Sequence, residues 1–157
     1  MARERRNERY VPGIDLPAAL TVSSDLSEAW TARTSLVAAI PRRRCAPSWR
    51  SPPAVAPDAV VLSLAKGLES STGLRMTQVI AEVLAEEPAP AAGTARRTCV
   101  LSGPTWPWRS PGRSLMASGG GGAGARDAAW AARCCADLRP YTNTDVVGTE
   151  IGGSRRT

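Results

Sequence analysis

The chain has 157 residues, 43% of them hydrophobic and 22% charged, which fits one domain of ordinary size. Aromatics are only 4% with no Phe, and histidine is absent, so the core is aliphatic, and imidazole metal ligation, Ser-His-Asp or Cys-His nucleophiles and histidine proton shuttles are excluded. The net charge of +6 comes from 19 Arg and a single Lys, Lys66, a ratio that GC-rich codons produce by themselves, so charge is weak ground for a polyanionic partner.

Residues 1–10 are charged with no apolar run behind them, so they do not read as a secretory signal, and 3–9 are expected to form a helix-compatible stub broken at Val11-Pro12-Gly13. Thr21–Ser23 is a short strand candidate. Ser24-Asp25 could cap a brief helix through Trp30, and Leu36–Ile40 is an apolar run of strand length. From Pro41 to Pro57 the pattern is Pro, Arg, Ser and Trp with no period, expected to be irregular. Ala59–Ala65 is apolar on both faces, as in a central parallel strand covered on both sides, and is far too short to span a bilayer. It ends at Lys66-Gly67.

After Thr72-Gly73, residues Met76, Val79, Ile80, Val83 and Leu84 recur at helical spacing with Glu82, Glu86 and Glu87 outside the stripe, predicting a helix over 75–86 that Pro88 stops. Cys99–Leu101 is another buried strand. Strand, crossover helix and strand make a βαβ unit, so the expected class is α/β with a parallel sheet. Residues 106–124 are expected to be irregular, 125–138 an Ala-rich helix ended by Pro140, and 141–145 a strand or turn before a helix starting near Val146.

Cys45, Cys99, Cys134 and Cys135 contain no C-x-x-C pair, so no metal site is expected and the chain reads as cytoplasmic and reduced. Gly119–Gly124 satisfies G-x-G-x-x-G, but Arg113–Ser118 makes a poor strand to feed it, so a low-complexity linker is the preferred reading. Arg42–Arg44 with Trp49, and Trp106, Trp108 and Arg109, interleave base-stacking and phosphate-binding groups. Without a surrounding RNA-recognition, KH or OB pattern, an unstructured basic segment is preferred over nonspecific nucleic-acid binding. Lys66 is the most informative single residue, because ligands of open parallel sheets bind beyond the carboxyl ends of the strands, and an amine there can hold phosphate or polarise a carbonyl. By itself it reads rather as a lysine snorkelling from a strand end.

Three ordered segments, Asp58–Glu69, Leu101–Thr105 and Arg139–Gly153, resemble successive signatures of bacterial NAD(P)-dependent glycerol-3-phosphate dehydrogenase, and Asn7–Pro17 is similar to the family segment leading into its third strand. The resemblance implies a partial Rossmann-like α/β sheet over residues 1–157, an incomplete N-terminal domain. The implied activity is interconversion of dihydroxyacetone phosphate and sn-glycerol 3-phosphate with NAD or NADP for glycerophospholipid synthesis, often in homo-oligomers. It places Lys66 against both cofactor and substrate, and Gly103 and Thr105 at the turn that holds the substrate. Arg156 falls where the family has its proton-transferring lysine, and Pro107 replaces a small cofactor-contacting residue. The family's first strand, its glycine-rich phosphate loop and its helical substrate domain have no counterpart in the sequence, so this chain by itself is not expected to turn over. Residues 41–57, 106–124 and 154–157 have the Arg, Pro, Gly and Trp content of GC-rich DNA read out of frame.

Overall fold

A computed structural model describes residues 3–25, 28, 35–40, 59–85, 97–102, 113–119 and 139–152. The expected features at 41–57, 103–112, 120–138 and 153–157, among them Gly103, Thr105, Trp106 and Arg156, lie outside these residues, as does most of the helix proposed through Trp30.

Near the N-terminus, β1 (Arg6–Asn7) and β2 (Val11–Asp15) form an antiparallel hairpin. The helical stub and the break at Val11 are therefore corrected: Gly13, at φ +75°, lets β2 continue through the Pro-Gly pair as an exposed strand. The exposed Arg6 guanidinium donates from Nε to Asp15 Oδ1 at 2.5 Å across the hairpin, and that hydrogen bond, together with the charge on Arg6, holds the Asp15 carboxyl below its usual range. Arg5 donates to the carbonyls of Pro17 and Leu20, folding the following segment back onto the turn, and Thr21–Ser23 is coil where a strand was expected.

The main sheet has five strands in the order β3 (Ser35–Ala38), β4 (Val60–Ser63), β5 (Arg97–Ser102), β6 (Arg113–Gly119) and β7 (Arg139–Asn143). The first three are mutually parallel, as the βαβ pattern predicts, with Val61 opposite both Leu36 and Thr98. Beyond β5 the sheet departs from the expectation of a purely parallel one: β6 runs antiparallel to β5, and β7 is parallel to β6. β6 also corrects the reading of 106–124 as irregular throughout. Ser, Ala and Gly give Arg113–Gly119 low intrinsic strand preference, but the segment is paired along both sides, by β5 and by β7, and that context outweighs propensity.

All four residues of β4 are buried, as a strand apolar on both faces requires. Val61, with Ala59 and Ala65, packs on α1 (Met76–Ala85) through Met76, Val79, Ile80 and Leu84, the stripe read from the sequence. Val60 and Leu62 meet Cys99 and Leu101 on the opposite face. A shorter helix, α2 (Val146–Gly152), follows β7. No helix among the described residues is long and apolar enough to cross a membrane.

Candidate active site

The site is built where β4 gives way to α1. Leu64 N–H donates to the Ala38 carbonyl at 2.9 Å, extending the β3–β4 contact one residue past the strand, and two residues later Lys66 stands exposed beyond its carboxyl end. Gly67 is buried at φ +84°, a left-handed conformation that turns the chain sharply behind Lys66 and that a side chain would strain.

The rest of the connection closes on itself. Leu68 and Arg75 form an antiparallel bridge, Glu69 N–H donates to Leu74 O at 2.8 Å, and Gly73 N–H donates to Glu69 O at 2.9 Å. Glu69 is buried and accepts from Thr72 Oγ1 at 2.6 Å, so its carboxylate serves the turn that carries it.

Arg75 is the N-cap of α1: its carbonyl accepts from the amides of Gln78 and Val79, while Gln78 Oε1 reaches back to the Arg75 N–H at 3.0 Å, half of a capping box. Arg75 has no side-chain oxygen to complete the box. The missing acceptor is Glu150 of α2, whose Oε1 accepts from Thr77 N–H at 2.9 Å and whose Oε2 accepts from Thr77 Oγ1 at 2.7 Å and Arg75 Nη1 at 2.8 Å. Glu150 is 2% exposed, and three donors with one positive charge offset its desolvation. Sequence reasoning passed over Glu150, Arg75 and Thr77. The one available signal was a helix start at Met76 with Gln at its third position and no capping residue before it.

α2 is capped from its own segment. Asp145 Oδ1 accepts from Gly148 N–H at 2.8 Å, and Asn143 Oδ1 accepts from Asp145 N–H at 3.1 Å. A Cβ at position 148 would lie 2.8 Å from Asp145 Cγ, so glycine there lets the capping carboxylate sit close.

A dinucleotide needs an open helix N-terminus, or an equivalent cluster of amides, for its pyrophosphate. Both helix N-termini among the described residues are filled by carboxylates of this chain, Glu150 at α1 and Asp145 at α2. The described residues therefore do not form that cradle, although Lys66 stands where a strand-end ligand would pass. Two further hydroxyls, Ser63 Oγ and Ser102 Oγ at the carboxyl ends of β4 and β5, are buried and lack a hydrogen-bond partner among the described residues.

Parallel strands β3, β4 and β5, with α1 crossing between β4 and β5, define a Rossmann-like α/β fold. Solved structures agree. Glycerol-3-phosphate dehydrogenase from Coxiella burnetii superposes with a TM-score of 0.80 at 21% identity, covering 98% of this chain and 45% of that one. The Plasmodium falciparum enzyme gives 0.79 at 16% identity, covering 97% and 42%. The family model described as NAD-dependent glycerol-3-phosphate dehydrogenase N-terminus matches residues 1–107, and the chain belongs to that family of NAD(P)-dependent oxidoreductases. Among curated relatives, glycerol-3-phosphate dehydrogenase (NAD(P)+) of Corynebacterium glutamicum strain R is 39% identical over 155 residues, covering 94% of this chain and 43% of the relative. That of Nocardia farcinica is 39% identical over 166 residues, covering 98% and 46%. The chain thus spans less than half the length of these relatives.

Proposed function

We propose that residues 1–157 form the incomplete N-terminal, cofactor-side portion of a cytoplasmic glycerol-3-phosphate dehydrogenase, in which Lys66 contacts both the dinucleotide and the phosphorylated three-carbon substrate. The observation that carries the reading is the placement of the chain's one lysine, exposed immediately beyond the buried central strand β4 and ahead of a left-handed glycine. A primary amine there can bind a substrate phosphate or polarise a ketone oxygen as hydride arrives. On the same reading Gly103 and Thr105, just past β5, hold the substrate, and the complete enzyme interconverts dihydroxyacetone phosphate and sn-glycerol 3-phosphate as a homo-oligomer.

Arg156 then occupies the proton-transfer position. The group there must give up a proton to, or accept one from, the substrate oxygen near neutral pH, which burial permits an amine to do. A guanidinium remains protonated above about pH 12 and occupies a different, planar volume. The test joins this chain, with residues 41–57 and 106–124 replaced by those of the Corynebacterium glutamicum relative, to the remaining sequence of that relative in place of its matching segment, and follows NADH oxidation by dihydroxyacetone phosphate. The chimaera should be slow by orders of magnitude with Arg156, recover with Arg156→Lys plus Thr157→Asn, and lose activity again with Lys66→Ala. Full activity with Arg156 in place would overturn the proton-transfer assignment, and full activity of Lys66→Ala would overturn the site.

A further inference from the structure

The segment that begins with Lys66 is anchored at its far end by a residue from a distant part of the chain. Arg75 closes the β4–α1 connection through its backbone bridge to Leu68, two residues from Lys66, while its guanidinium is held by Glu150 at 2.8 Å. The same carboxylate takes the backbone and hydroxyl of Thr77, so connection and helix start are fastened at one buried point. Within the connection, Glu69, Thr72, Gly73 and Leu74 bond mainly to one another. The Glu150 contact is what registers this self-closed turn against α2.

We infer that Glu150 is a positioning residue for Lys66: it locks the connection that carries the lysine to α2, so the place of the amine beyond β4 is set by a carboxylate more than seventy residues away in sequence. The importance of that placement for dehydrogenase chemistry rests on the proposed function; the lock itself does not.

The chain's single lysine supplies the test. Reductive methylation with carbon-13 formaldehyde labels Lys66 and the N-terminal amine alone, so one side-chain resonance reports the surroundings of Lys66. Glu150→Gln keeps the volume and removes the charge from the contact with Arg75. It should displace the Lys66 resonance and speed amide exchange across 67–75 by about tenfold or more. Thr77→Val, a smaller change that keeps the chain folded if Glu150→Gln does not, should displace the resonance in the same direction, while Thr77→Ser should leave it as in the wild type. Ile80→Val lowers stability from within the core cluster without touching the contact, and should leave the resonance in place. An unmoved resonance in both Glu150→Gln and Thr77→Val, or an equal displacement by Ile80→Val, would overturn the positioning role. Neither readout involves cofactor or substrate, so failure of the dehydrogenase assay and failure of this inference remain distinguishable.

Discussion

Glu150 shows how a polar residue can be buried at little cost when its partners are themselves in need. Thr77 N–H is one of the orphan donors that every helix start leaves, and Arg75 brings a charge that is itself only partly exposed. The need ran both ways, so the carboxylate is satisfied and α1 is capped by one interaction. Apart from the missing capping residue before Met76, the local sequence of neither segment announces this, because the partners are far apart and each looks ordinary by itself. Ser63 is the opposite case, a fully buried hydroxyl on β4 with no partner among the described residues. An unpaired buried hydroxyl gains nothing from being polar. Ser63→Ala is therefore expected to be neutral or to stabilise by up to about 1 kcal/mol in urea unfolding. A loss greater than that would show the hydroxyl to be bonded.

At the scale of elements, periodicity carried the reading where burial was one-sided and regular. The stripe Met76, Val79, Ile80, Val83 and Leu84 gave α1 within a residue at each end, and the unbroken apolar run gave β4 its central place. It failed where hydrogen-bonded partners rather than hydrophobic periodicity decide. β1 and β2 lie in a charged segment whose extended shape is fixed by the Arg5 and Arg6 side chains, and β6 is held by strands on both sides. The Asp145–Gly148 cap offers a quantitative check on such local coupling. Asp145→Ala should cost about 1 kcal/mol through the lost cap. Gly148→Ala should bring its ordinary helix gain of up to about 1 kcal/mol only in the Asp145→Ala background, because with Asp145 present the new methyl displaces the carboxylate from its donor. Simple additivity of the two substitutions would refute this account of why position 148 is glycine.

For the whole molecule, the consequence is a recognisable dehydrogenase framework whose described residues form no seat for the dinucleotide's phosphates. The sequence motifs located Lys66 correctly at the end of a central strand, and the structure added that both described helix N-termini are closed by Glu150 and Asp145. The sheet's outer strand β3 leaves Val37 51% exposed on the same face that buries Leu62. A framework of this kind can hold Lys66 in place and still fail to retain cofactor, since a dinucleotide's pyrophosphate is seated on amides at an open helix N-terminus. The most direct measurement is therefore a fluorescence titration of NADH against the isolated 157-residue chain. The account predicts no saturable binding in the micromolar range and no NADH oxidation when dihydroxyacetone phosphate is added. Saturable micromolar binding would contradict it, by showing that the chain does seat the dinucleotide.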